Sequence, residues 1–459
     1  MKTITSIFIL LLIPLICLLS GCDESSIDTP SLSHLDHKGT EFILAFLPSH
    51  PEGDDPLLHL IIMSELPSSV VVEYPVNNPT FTQTVHVSQS QCEIVQIPYT
   101  AATGWQELTP TNNAVRVAAT DEVTIVLFNE KFSLLDQALA LPLDVLGQSY
   151  IAMSKPPTQP KGSEYIFVAT QNSTSISIEP NSGSPFQVSL NRGEGYLVTS
   201  DQDLSGSIIN ADKPVVVVNG NKCANVPEGT SYCEHLCEMA IPVHYWKTEI
   251  LARNLPRALE GDGARKTYYR ILASQDNTEI FLNGQSLGAY NTGFALELSR
   301  TASQVANHFS ANKPIFIVQY MNSICDEFSG HESCSDIGVT VEPSAFGDPS
   351  MTNLVPIGQF HHVYSFYRVS GGAQPGYQWL NIIAATDDVQ NGSVLLDGVP
   401  IDKSYFTAFS TKPEYSHASI PIIQSGLHSS HSAQGHSITI IYLGWHMAFT
   451  SPAGIQFGE

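Results

Sequence analysis

Basic residues are scarce in this 459-residue chain: 20 Lys and Arg stand against 44 Asp and Glu, for a formal net charge of −24. Nucleic acid and anionic lipid surfaces are excluded as partners, because both are gripped through clustered cations. Charge of either sign is sparse, at 14% of residues, whereas the 42% hydrophobic content is enough for real cores. Beyond the first two dozen residues no run approaches the roughly 20 apolar residues of a membrane-spanning helix. Helical periodicity is also lacking, since 31 Gly and 29 Pro interrupt the chain throughout. Missing too are Gly-x-Ser-x-Gly elbows, His-Glu-x-x-His sites and phosphate-cradling glycine loops. Hydrolase, zinc-peptidase and nucleotide chemistry therefore have no motif to rest on, and no cofactor is expected.

What is present begins with an address. Lys2 precedes an apolar run, Ile7–Leu19, broken by Pro14 and followed by Ser20, Gly21 and Cys22. This pattern reads as a signal peptide over residues 1–21. Leu19-Ser-Gly-Cys22 resembles the lipobox of bacterial lipoproteins, which implies acylation of Cys22 and anchoring through lipid alone. Residues 22–38, polar and rich in Ser, Asp and Pro, read as a flexible tether. Asp23 and Glu24 resemble a retention signal for the inner membrane.

The body, 39–459, is written in strands. Phe42-Ile-Leu-Ala-Phe, Val70-Val-Val-Glu-Tyr, Tyr165-Ile-Phe-Val-Ala and Val215-Val-Val-Val are short, β-branched or aromatic, and bounded by turn residues. Three elements recur in the same order about every hundred residues. Ala169-Thr-Gln-Asn-Ser-Thr-Ser-Ile returns as Ala273-Ser-Gln-Asp-Asn-Thr-Glu-Ile and around Ala385-Thr-Asp-Asp. Asn210-Ala-Asp-Lys-Pro-Val returns as Ser310-Ala-Asn-Lys-Pro-Ile and around Ala119-Thr-Asp-Glu-Val. An apolar-Pro-apolar step stands at Pro142, Pro242 and Pro356. The repeat predicts an all-β fold of tandem β-sandwich modules at 39–150, 160–250, 264–365 and 376–459, with Lys-Pro heading a strand in each full copy.

These residues also resemble a known family. Gly39-Thr-Glu-Phe-Ile-Leu-Ala-Phe, Asp212-Lys-Pro-Val, Cys223-Ala-Asn-Val-Pro, Cys233-Glu-His-Leu-Cys-Glu-Met, Ala311-Asn-Lys-Pro, Gly347-Asp-Pro-Ser-Met, Gly426-Leu-His and Gly444-Trp are similar to the N-terminal domain family of the IgGFc-binding protein. The resemblance implies a secreted or surface β domain that binds a protein or glycoprotein, mucus or immunoglobulin-like. Gly347-Asp-Pro-Ser lacks the His of the family's self-cleavage sites, so cleavage is not expected.

Six cysteines remain in the body, and an even number in an exported chain reads as disulfides. Cys223 with Cys233 and Cys325 with Cys334 are the local pairs, which leaves Cys92 with Cys237. The alternative for Cys233, His235 and Cys237, with Cys223 and His244 nearby, is a zinc site, which an oxidising compartment disfavours. Asp326, Glu327, Glu332 and Asp336 form an acidic group that suits calcium, though not in EF-hand spacing. His361, His362, His417, His428, His431, His436 and His446 raise metal binding or pH sensing as readings, with ordinary structural histidines the default. Trp105, Trp246 and Trp379 are the aromatic candidates for stacking on sugars or anchoring a partner.

The expectation is a non-enzymatic, lipid-tethered binding protein of the cell envelope. Its rivals are a periplasmic structural lipoprotein and a glycan hydrolase with two facing carboxylates.

Overall fold

The computed structural model describes residues 35–458 apart from 51–52, 132–133, 231–232, 257–265, 302, 324–346, 370–375 and 445–446. Cys22, the pair Cys325 and Cys334, the acidic group Asp326, Glu327, Glu332 and Asp336, and His446 lie outside the described residues.

Four sheets follow one another along the chain. The first module holds β1 (Gly39–Leu44), β2 (Leu57–Met63), β3 (Ser68–Tyr74), β4 (Phe81–Val87), β5 (Glu93–Ile97), a short helix α1 (Thr100–Thr103), β6 (Thr111–Asn112), β7 (Val115–Lys131) and β8 (Leu134–Leu139). The second holds β9 (Gly147–Ile151), β10 (Ser163–Ala169), β11 (Thr174–Glu179), β12 (Phe186–Leu190), β13 (Glu194–Ser200), β14 (Ile208–Ala224) and β15 (Glu234–Met239). The third holds β16 (Lys247–Arg253), β17 (Lys266–Ala273), β18 (Thr278–Leu282), β19 (Gln285–Tyr290), β20 (Ala295–Thr301), β21 (Ala306–Met321) and β22 (Ser350–Asn353). The fourth holds β23 (His361–Arg368), β24 (Tyr377–Ala385), helix α2 (Thr386–Asn391), β25 (Leu395–Leu396), β26 (Val399–Pro400), β27 (Thr407–Ala408), β28 (Tyr415–Ile422), β29 (Gly426–Gly444) and β30 (Met447–Pro452).

All four repeat one antiparallel pattern around a long strand: β7, β14, β21 or β29. Its first half lies between the module's first and third strands, and its second half between the second and last, so two packed half-sheets share it. The register slips where the strand changes sheet, between Asn210 and Val215 in β14, and β16 skips in the same way from Ser310 to Ile315 of β21. Lys-Pro therefore sits in mid-strand at the corner, not at a strand head. Proline is tolerated there because the ladder is already broken and its missing N–H costs nothing.

The second strand and the second half of the long strand are mostly buried without alternation; Ser163–Ala169 is buried at every position. Tyr165, Phe167, Val215 and Val217 fill the second module's own core. Ile166, Val168, Val216 and Val218 face outward into a larger cluster shared with neighbouring modules. A strand buried on both faces has no polar side to show.

Pro142, Pro242 and Pro356 each open a single 3-10 turn, Leu143–Val145, Val243–Tyr245 and Ile357–Gln359, that joins the last strand of one module to the first of the next. The strands at 147–151, 247–253 and 361–368 thus open a sheet, where the sequence spacing placed them at a module's end. The apolar-Pro-apolar step is a joint between modules.

The last strands of the modules meet around a common axis. β8 packs against β15 and β30, and β22 packs against the same two, closing a ring of four. The chain ends close it a second time: His37 N donates to Ile455 O at 2.9 Å and Phe457 N to Leu35 O at 2.7 Å. No helix among the described residues is long and apolar enough to cross a membrane.

Candidate functional site

The axis draws together the polar residues that chemistry would look for first. Asp136, Glu234, His235, Cys237 and Glu238 lie on β8 and β15 and are all buried. Burial raises the carboxyls of Asp136, Glu234 and Glu238 well above their ordinary range, and the charges of Asp348 and Asp136 push Glu234 further the same way. Burial likewise drives His235 down to about 3, so the charged form of every one of these groups is disfavoured.

Their hydrogen bonds show what they do. Each module's last strand has one edge on its long strand and the other on the axis, and side chains satisfy that second edge. Glu234 accepts from Leu135 N at 3.0 Å. Asn353 donates to Met239 O at 2.8 Å, and Ser350 and Thr450 share a hydroxyl contact at 3.0 Å. The space left between Glu238, Asn353 and the apolar residues around them has room for about one water. Among the described residues no group of three or more His, Cys, Asp or Glu converges as a metal site. The axis is a sealed polar seam that prevents four strand edges from pairing elsewhere.

The surface offers a different kind of site on the first module. Asp55, Leu57, Phe81, Gln96, Pro98 and Tyr99 line an open groove of about 340 Å³ at the end of β5. Leu57 is 46% exposed and Tyr99 45%, and Ile94 on β5 is 47% exposed. Among the described residues β5 ends its sheet and pairs only with β2. The equivalent strand of the second module, β13, carries β6 on that edge, and that of the fourth, β28, carries β27. The groove escaped the sequence reading because its residues come from three separate segments with no shared motif.

The sequence candidates have other places. Trp105 and Trp246 are core residues: their ring N–H groups donate to Phe46 O and Ile241 O, both at 3.0 Å, and Trp246 stacks on Phe316. Trp379 is half-buried in the fourth module with its ring nitrogen enclosed. None of the three is an open platform. Cys223 and Cys233 form a disulfide across the loop between β14 and β15, which removes both from any zinc set. The remainder pairing of Cys92 with Cys237 does not form: Cys237 is a buried thiol on the axis, while Cys92 heads β5 at the rim. The histidines are dispersed. His428 binds Asp397 at 2.7 Å, His417 meets the Phe409 ring, and His431 is exposed. His361 and His436 instead join His37 at the seam between the fourth and first modules, where His361 binds Asp36 at 2.8 Å.

Comparison with known proteins bears on the whole chain. A family profile described as IgGFc binding protein matches residues 136–443, from β8 to the end of β29. A human protein named IgGFc-binding protein is 25% identical over 230 residues, 47% of this chain but only 4% of that protein. Among solved structures, one described as an anti-sigma factor domain-containing protein aligns over 61% of this chain and 78% of its own at 8% identity, but its TM-score of 0.12 carries no argument. With more than half of its length inside the family profile, the chain belongs to the IgGFc-binding protein family.

Proposed function

We propose that this chain is a non-enzymatic binding protein of the bacterial envelope, tethered through lipid on Cys22, whose ring of β modules holds a protein or glycoprotein partner outside the cytoplasm. The observation that carries the reading is the family match across 136–443, which takes in the second and third modules, most of the fourth, and three of the four axial strands, β8, β15 and β22. The disposition of side chains supports it. Acids and histidine gathered by the fold are consumed in the sealed axis, while apolar side chains such as Leu57, Tyr99, Phe294 and Tyr405 are left exposed on outer loops and edges. Apolar residues on a rigid scaffold suit binding.

Radiolabelled palmitate incorporation, lost in Cys22→Ser, tests the anchor. Protease shaving of intact cells tests the exposure, with a periplasmic protein as leakage control. Soluble chain is then assayed for saturable binding to immunoglobulin Fc and to mucin. Label in the wild type, digestion without leakage and binding without turnover are the expected results. Full protection of the body from protease overturns the outward-facing role. Asp23 and Glu24 would then favour a second reading, a periplasmic structural lipoprotein.

A further inference from the structure

We infer that the first module binds an extended peptide of a partner protein by strand addition along the free edge of β5, with one aromatic or bulky aliphatic side chain of that peptide seated in the adjoining groove. This deepens the binding role proposed above and rests on it.

Because one topology is repeated four times, equivalent edges can be compared within one molecule. The counterparts of β5 are β13, β20 and β28. Two of them carry a strand that the chain itself supplies. On β13, Thr111 pairs with Gly195 and Asn112 with Glu194, and Leu108 N donates to Leu197 O at 2.9 Å. Just upstream Trp105 lies over Gly195, where a Cβ would come within 2.6 Å of the indole ring. On β28, Thr407 pairs with His417 and Ala408 with Ser416. Phe409 follows at once, 1% exposed and edge-on to the His417 ring at 4.9 Å. The occupant is the same in both cases: a few residues of extended main chain beside a buried aromatic anchor.

Among the described residues β5 presents the same edge with no strand added to it. Unpaired main-chain groups along an edge strand are a template for another strand, and such addition draws affinity from the ladder and selectivity from side-chain pockets. The groove at the end of β5 supplies the pocket, with Pro56 and Pro98 as stiff walls and Leu57, Phe81 and Tyr99 as apolar surface. The groove lies at the C-terminal end of β5, whereas Trp105 and Phe409 sit at the N-terminal ends of β13 and β28, so the peptide's anchor holds the opposite end of the added strand. Asp55 at the groove favours a basic residue beside the peptide's anchor. β20 also ends its sheet, but there Phe294 stacks on Tyr290 of the same module.

The test is selection of phage-displayed random decapeptides on the whole chain, followed by hydrogen exchange with the enriched peptides made synthetically. Peptides with an aromatic or large aliphatic residue next to Lys or Arg are expected, and they should slow exchange of the Glu93–Ile97 amides. Leu57→Asp and Tyr99→Ala, both at exposed positions, should each weaken binding at least tenfold with an unchanged melting curve. Failure to enrich any peptide, binding indifferent to both substitutions, or protection of another edge would overturn the proposal. So would self-association through β5, seen as a dimer in sedimentation that Ile94→Lys returns to monomer. Fc or mucin binding that survives Leu57→Asp leaves the general binding role standing while removing β5 from it.

Discussion

Lys213 donates its Nζ to the main-chain oxygen of Asn172 at 2.6 Å, and one module later Lys313 donates to that of Asp276 at 2.5 Å. Beside them Asp212 accepts from Ser175 N at 2.8 Å and Asn312 from Glu279 N at 2.9 Å. The two repeated sequence elements, some forty residues apart, are thus the two halves of one clamp. The hairpin turn offers carbonyl and N–H groups, and the corner of the long strand returns Lys and Asp or Asn to meet them. In the fourth module the acid changes sides: Asp388 on α2 accepts from Ser432 Oγ at 2.6 Å and from Gln434 N at 2.7 Å.

Because Asp212 is exposed and Asp388 buried, the same substitution should cost differently at the two corners. Asp212→Ala is expected to lose about 0.5–1 kcal/mol in urea unfolding, and Asp388→Ala about 2–3 kcal/mol, since the charged acceptor of the buried Ser432 hydroxyl and of the Gln434 N–H is removed. Equal losses would mean that the corner is not held by these hydrogen bonds.

Trp105 is the anchor of β6 on β13, so its removal should act on stability before binding. Trp105→Ala is expected to cost about 3–5 kcal/mol, read from the unfolding midpoint. A variant of unchanged stability that had lost ligand binding would return Trp105 to the list of contact residues.

The Cys223–Cys233 bond closes a loop with a sequence separation of 10. Replacing both cysteines by Ser should lower stability by about 3 kcal/mol on the chain-entropy account. Reductant should produce the same fall in the wild type and none in the double variant. Equal sensitivity of both proteins would place the effect at another bond.

Acid should loosen the seam that closes the ring. Burial holds His37 and His436 at about 3, below their usual 6.5, so the unfolded chain binds protons in this window that the folded chain refuses. Their contribution is intact above pH 6.5 and is lost progressively as pH falls towards 3. His37→Asn should therefore flatten the decline in urea midpoint between pH 6.5 and 4. An unaltered slope would show that His37 does not titrate with unfolding.

Glu238 works in the opposite direction. Its carboxyl is raised by burial, so stability is full below the ordinary value near 4.5 and is lost as pH climbs towards the raised one. Glu238→Gln keeps the planar shape of the side chain and one oxygen to accept from Asn353 while removing the ionisable group, and should flatten the fall in midpoint on the alkaline side. A steeper fall in the variant would mean that the ionised form is the one the fold prefers.

The all-β character was legible because β-branched runs and turn residues act locally, and the repeated elements because a unit copied along the chain leaves its mark at fixed spacing. The local disulfide was legible for the same reason: ten residues of separation keep Cys223 and Cys233 within reach. Lys-Pro was misplaced because no local signal tells a strand that begins from one that turns a corner. Only pairing with β9 and β11 on one side of the bend and β10 and β15 on the other makes that distinction. Likewise Trp105, Trp246 and the axial acids carry the same letters whether they face solvent or a neighbouring module. By itself the sequence determined what each strand could be; the closing of four modules into a ring decided which residues were sealed and, among the described residues, left the outer edge of β5 without a partner strand, because burial is set by contacts between segments a hundred or more residues apart.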